Sequence, residues 1–260
     1  MFNDREILNA IISAQKAGAE LIMQARDVLA ETKSGRRDVV TQYDRRVQSL
    51  LTGRLSAAFP GAAFFCEEDC LQDSLSSPLV FIIDPIDGTM NFVHGFHHSA
   101  ISVACMQNGR LCAASVYNPY AGECFSALDG QGAFLNGSPI TAGEQPLCES
   151  VVCCGTAPYS PQLADSTFAL IKKAFTASLD IRREGSAALD MCSAAAGRAG
   201  VYFEPSVSLW DIAAGMLIVR EAGGLCLDLQ GKPLPLDGGK SSVLAGNRQA
   251  VTEFLAMAAE

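Results

Sequence analysis

Residues 80–92 read "VFIIDPIDGTMNF", and few features restrict a fold more than this one. Four apolar residues run directly into two aspartates, a proline and a glycine. The apolar run has the length and composition of a buried strand. A carboxylate is costly where a strand leaves a core unless a cation meets it. The turn is also rigid, because Pro85 fixes its own φ and restricts Asp84 before it. Two aspartates three apart around such a turn can point to the same side. Gly88 permits a tight turn or a close backbone approach, and Thr89 adds a hydroxyl. If "TMNFV" opens a helix, its free N–H groups form an anion site beside the carboxylates. Acids beside an anion site require cations between them, and oxygen-only ligands select a hard ion, Mg²⁺ first.

Other readings of this stretch fail on spacing. An EF-hand wants a glutamate at its twelfth position, where this chain has Gly95. An aspartyl-nucleophile phosphatase wants D-x-D, and the sequence has D-x-x-D. No G-x-x-x-x-G-K-[ST] phosphate loop and no G-x-S-x-G elbow occurs.

The chain has 260 residues, enough for one large domain or two small lobes. Its 28 acidic and 19 basic side chains leave a net charge of −9, which argues against a nucleic-acid surface. The two dense basic spots, "KSGRR" at 33–37 and "DIRRE" at 180–184, read as solvated loops or strand ends. No apolar run is long enough to span a bilayer, and the N-terminal stretch lacks the pattern of a signal peptide. A soluble cytoplasmic protein is expected. The ten cysteines form no C-x-x-C pair. They read as reduced, buried thiols.

Apolar spacing predicts a long amphipathic helix over 4–30, then a polar loop with Lys33 and Gly35, then a helix opened by Thr41. From 62 to 135 short strands dominate, and Asn136-Gly137 marks a hairpin. After about residue 150 strands and helices alternate. The pattern predicts a layered α+β protein, a single domain over 1–260 with lobes of roughly 1–145 and 146–260.

Three further acidic places stand out: Glu67-Glu68-Asp69 after "AAFF", Asp211 after Trp210, and Asp44. Taken locally, Asp44 completes a capping box with Thr41, Asp211 is a helix cap, and the Glu67 group is a solvated turn.

Together, "EED" at 67–69, "DPIDGTMNFVHG" at 84–95 and "WDIAAG" at 210–215 resemble, in order and spacing, the motifs of the inositol monophosphatase family. This is a superfamily of Mg²⁺-dependent, lithium-sensitive phosphatases. The similarity extends through "KSGRRDVVTQYD", "GAFLNGSPI", "GSAALDMC" and "REAGG". The resemblance implies a layered αβαβα sandwich of the inositol monophosphatase and fructose-1,6-bisphosphatase type, and a homodimer. It implies two or three Mg²⁺ held by Glu67, Asp84, Asp87, Asp211 and the carbonyl of Ile86. Thr89 and Glu67 would orient and activate the attacking water, with Asp44 supporting them. Asp87, Gly88, Thr89 and Asp211 would meet the substrate, with Gly185, Ser186, Ala187 and Glu204 on its alcohol side. Lys33 would lie on a mobile loop near the metals. The expected reaction is hydrolysis of a small phosphorylated polyol or sugar, inositol 1-phosphate first, with fructose 1,6-bisphosphate and histidinol phosphate as competitors. A regulatory binding protein with a phosphatase fold is the alternative of another class. The chain departs from the family pattern at Cys66, at Met90, where a second threonine is common, and at His97-His98, where a proline is common.

Overall fold

The computed structural model describes residues 2–35, 38–68 and 74–259. Asp69 and Cys70 lie outside them. Five layers stack in the order helices, sheet, helices, sheet, helices, as the layered αβαβα expectation requires. The first layer pairs α1 (Asp4–Met23) with α2 (Gln42–Ala58). Their apolar faces, including Ile7, Ile11, Val47, Leu51 and Leu55, pack against one side of a seven-stranded sheet. Gln15 pins α1 to that sheet: its amide donates to the carbonyls of Ile101 and Ser115 at 2.9 and 2.8 Å.

The sheet runs in sequence order: β3 (Ala63–Cys66), β4 (Leu79–Asp87), β5 (Ala100–Gln107), β6 (Arg110–Asn118), β7 (Glu123–Leu128), β8 (Ala133–Leu135) and β9 (Ser138–Ile140). Only the β3–β4 pair is parallel. All nine residues of β4 are buried, because helices cover both faces of the sheet. The β8–β9 hairpin turns on Asn136 and Gly137, both at positive φ (51° and 82°), as a primed turn needs.

The middle layer is α5 (Ala187–Ala195) and α6 (Leu209–Glu221), small-residue helices buried between the two sheets. The second sheet has the order β11 (Asp180–Arg182), β10 (Val151–Cys154), β12 (Val201–Val207), β14 (Ser241–Gly246), β13 (Leu225–Leu227). Its outer face is covered by α4 (Ala164–Ala177) and α7 (Arg248–Ala259). No helix among the described residues is long and apolar enough to cross a membrane. The nine described cysteines are free thiols, all but Cys148 at least partly buried.

Two local expectations are corrected. The predicted helix over 4–30 stops at Met23. The Tyr43 hydroxyl accepts from the Arg26 N–H and donates to the Arg26 carbonyl, both at 2.9 Å, which occupies the backbone groups a longer helix would use. Asp27 then turns to φ 49°. The polar loop around Lys33 and Gly35 is a strand, β1 (Ala30–Gly35), paired antiparallel with β2 (Asp38–Thr41). Ala30 to Lys33 of β1 are all exposed, so this strand leaves no apolar alternation to read.

Candidate active site

The geometry of Asp84 and Asp87 depends on a defect in the sheet. Residues three apart on a regular strand face opposite sides. Asp84 pairs with Ser102 and Asp87 with Ala100, so three steps on β4 answer two on β5. The extra residue makes a bulge, and the bulge turns both carboxylates to one cavity. Pro85 sits inside it, at one of the few positions where a central strand tolerates proline. Asp84 Oδ1 accepts the Ile86 N–H at 3.0 Å and closes the turn.

Gly88 follows at φ 86° and leads into α3 (Thr89–Val93), the helix expected from "TMNFV". A Cβ here would lie 3.1 Å from the carbonyl oxygens of both Gly185 and His98. Glycine is therefore required twice, by its φ and by contact with two other backbones.

Asp211 enters from the first turn of α6, where its Oδ2 accepts the Ser208 N–H at 2.7 Å. The cap of this helix is Ser208; Asp211, read locally as the cap, is its capping-box partner in the first turn. Carboxylate oxygens of Asp84, Asp87 and Asp211 lie within 4.8 Å of one another. Asp87 Oδ2 is held by the Ser186 hydroxyl and by the Ala188 N–H at 2.8 Å, so the start of α5 fixes its direction. Glu67, just past β3, completes the group. Its Oε1 is 2.9 Å from Lys33 Nζ, which also pairs with Glu68. Lys33 thus reaches the site from strand β1 and not from a loop.

Asp44 serves two neighbours. Its Oδ2 takes the Thr41 N–H (2.8 Å) and hydroxyl, the expected capping box. Its Oδ1 accepts from Thr89 Oγ1 at 3.2 Å, and the same hydroxyl lies 3.0 Å from the Ile86 carbonyl.

These acids are crowded. Burial pushes Asp44 up to about 6, against its bonds from Thr41. Burial raises Asp87 to about 7, against Ser186 and Ala188. Asp84 and Asp211 stand well above the usual carboxylate range, through burial first and then the charges of neighbouring acids. Glu67 is raised by burial and relieved in part by Lys33. Burial alone would lower Lys33, but Glu67 and Glu68 lift it above its ordinary value. A cluster that repels itself this strongly, with oxygen donors only, is chemically matched to hard divalent cations.

The acids open on a cavity of about 300 Å³. Every expected site residue lines it except Asp44, which stands behind Thr89. On its far side Glu204 is fully engaged, accepting from the Ala157 N–H (2.7 Å) and the Tyr202 hydroxyl (2.8 Å). Its carboxyl is raised by burial. Gly155 leaves room for it, since a Cβ there would fall 1.8 Å from Glu204 Oε2.

Among the lining residues that escaped the sequence reading are Arg183, Lys240 and Tyr159. Arg183 belongs to "DIRRE", read as a solvated strand end. That holds for Arg182, which pairs with Asp180, but Arg183 turns into the cavity beside Gly185. Its place two residues before the "GSAALD" motif was the available signal. Lys240 lies 5.8 Å from the Tyr159 ring centre, and no sequence pattern marks it.

The sequence profile of the inositol monophosphatase family matches residues 3–260. The chain belongs to this family. Among family members, an inositol-1-monophosphatase of Mesorhizobium japonicum is 38% identical over 246 residues, 93% of this chain and 91% of that one. The Nus factor SuhB of Pasteurella multocida is 37% identical over 225 residues, 85% and 84% of the two chains. Among solved structures, the Thermotoga maritima IMPase superposes with a TM-score of 0.87 at 32% identity, covering 97% of this chain and 96% of the other. The inositol monophosphatase fold therefore accounts for the whole layered architecture.

Proposed function

We propose that this chain is a Mg²⁺-dependent phosphatase for a small phosphate monoester, with inositol 1-phosphate as its first substrate. The observation that carries the reading is the convergence of Asp84, Asp87 and Asp211 within 4.8 Å on one cavity. Glu67, Asp84, Asp87, Asp211 and the Ile86 carbonyl would hold two or three Mg²⁺. When bound, Mg²⁺ lowers the pKa of water and neutralises charge on the phosphate and the leaving oxygen. The residues do the rest. Thr89 Oγ1 donates toward Asp44, which leaves its lone pairs to orient the attacking water. Asp44, with its carboxyl near 6, is suited to hold a proton drawn from that water through Thr89. The water oxygen bonds to phosphorus as the ester P–O bond breaks in line, releasing phosphate and an alcohol that takes a proton from solvent. Glu204 and Gly185 to Ala187 line the cavity and would face the alcohol. Arg183 and Lys240 add the positive charge an anionic substrate favours.

A panel of inositol 1-phosphate, fructose 1,6-bisphosphate, histidinol phosphate and a nucleotide 3′-phosphate, with and without Mg²⁺, tests the reading by phosphate release. Mg²⁺-dependent turnover that Asp87→Asn abolishes is expected. No turnover of any member would sink it. A regulatory binding role is favoured by one observation, the similarity to Nus factor SuhB proteins. Under that reading Asp87→Asn would keep the biological effect while lacking turnover.

A further inference from the structure

A second group of ligand atoms converges outside the carboxylate cage. His98 lies on the loop after α3, Glu184 on the loop after β11, and Asp190 on α5. One ligand atom from each falls within 4.8 Å of the other two. His98 Nε2 stands 3.4 Å from Glu184 Oε2 yet makes no hydrogen bond among the described residues. Among the described residues Asp190 Oδ1 has no partner either, although Asp190 is only 1% exposed. A buried carboxylate oxygen with no donor loses its hydration without compensation. Arg183 offsets part of that cost through its charge, but its hydrogen bond goes to Thr156 Oγ1 at 3.3 Å and not to this oxygen. Burial and the charges of Glu184 and Asp87 accordingly hold the Asp190 carboxyl well above its ordinary range.

The three residues are fixed in place before any ligand arrives. The Asn91 side-chain amide donates to the carbonyls of His98 and Glu184, at 2.7 Å each. One residue of α3 thus staples both loops. The Asp190 N–H bonds to the Ser186 carbonyl at 2.9 Å in the first turn of α5. His97, the other half of the unusual His-His pair, points elsewhere and stacks on Tyr120 with ring centres 4.8 Å apart. The cluster also stands in a wall. Asp190 lines the catalytic cavity, while His98 and Glu184 line a neighbouring one of about 470 Å³ that gives access from solvent.

We propose that His98 Nε2, Glu184 and Asp190 form a second metal site, separate from the carboxylate cage, for a divalent transition ion of which Zn²⁺ is the representative. Imidazole nitrogen and carboxylate oxygen both ligate Zn²⁺, and three such ligands leave a fourth position for water. Mg²⁺ prefers oxygen ligands and gives up its waters reluctantly. The cage offers oxygen alone, so ligand chemistry would sort two ions between two sites. The Cys153 thiol reaches the same Asp190 carboxylate, and burial with that neighbour keeps it protonated. An ion here would also brace catalysis. Its ligand loops touch the Gly88 turn, and α5 carries both Asp190 and the donors that aim Asp87.

Metal-stripped protein is supplied with excess Mg²⁺ to fill the cage and titrated with Zn²⁺ by calorimetry, with the His98 ring protons followed by NMR. One equivalent of Zn²⁺ should bind, the His98 signals should move, and the melting temperature should rise. Glu184→Gln, on a partly exposed side chain, should weaken Zn²⁺ binding by roughly 10–100-fold, and His98→Ala should abolish it. Asp84→Asn, which alters only the cage, should still bind one equivalent. The proposal is overturned by no Zn²⁺ uptake in wild type under Mg²⁺, by unmoved His98 signals, or by equal affinity in Glu184→Gln. The NMR signals of the wild type decide the matter even if a variant fails to fold.

Discussion

Stripping the divalent cations should leave a protein that loses stability as pH rises. In the folded chain Asp44 sits near 6 and Asp87 near 7, both raised by burial. In the unfolded chain both return to about 4. Between these limits the folded state binds more protons than the unfolded one. The protonated acids therefore keep full stability below about pH 4, and that stability is lost as pH climbs toward 7. A shift of about 2 units at Asp44 corresponds to about 3 kcal/mol, and Asp87 alone to about 4 kcal/mol. The acids interact, so these figures do not add, and a loss on the order of 4 kcal/mol between pH 4.5 and 7.5 is the working expectation. Urea unfolding at each pH, in chelator and again in Mg²⁺, measures it. The stabilisation by Mg²⁺ should grow with pH, since the ions neutralise the same carboxylates. Asp87→Asn separates the site from all other titrating groups. Its amide oxygen can still accept from Ala188, so the metal-free variant should exceed wild type at pH 7.5 by about 3 kcal/mol and match it near pH 4. Its advantage should vanish in Mg²⁺. A metal-free wild type as stable at pH 7.5 as at 4.5, with no gain in Asp87→Asn, would refute the crowding of these acids.

Two further outcomes follow from single contacts. Gly88→Ala forces a side chain to φ 86° and to 3.1 Å from two carbonyl oxygens. It should lower stability by about 2 kcal/mol or more in urea unfolding and remove phosphate release, and a fully active, wild-type-stable variant would contradict the geometry. Lys33→Met frees Glu67 from a cation that competes with metal. Apparent Mg²⁺ affinity, read from the Mg²⁺ dependence of the melting temperature, should rise roughly five-fold, the upper end for a partly exposed pair; a fall would show that Lys33 assists the cage.

Much of the fold was legible because apolar periodicity reports which faces are covered. It found the strands of the larger sheet, the alternation after residue 150 and the Asn136-Gly137 hairpin. It failed where tertiary contacts or polar ribbons decide. The end of α1 is set by Tyr43, which is 17 positions away from Arg26. The described side chains of β1, Ala30 to Lys33, are all exposed and write no apolar pattern into the sequence. Arg183 and Lys240 differ from solvated cations only in where the chain carries them.

The carboxylate pair shows the limit most sharply. Asp84 and Asp87, read on an ideal strand, face opposite ways. Only the bulge between β4 and β5 brings them together, and its partner, Ala100 to Ser102, lies well downstream. The same irregularity recurs in the other sheet, where Glu204 pairs with Val243 and Val207 with Ser241. Again three steps answer two, and again the bulged residues line the cavity. The two bulges open on one space, and the helices between the sheets fill its remaining sides, α6 with Asp211 and α5 with the donors to Asp87. Proline and glycine can mark a bulge locally, as Pro85 and Gly88 do. What they cannot mark is that a second bulge faces the first, so "VFIIDPIDG" specifies half of a site whose other half is set by how the layers stack.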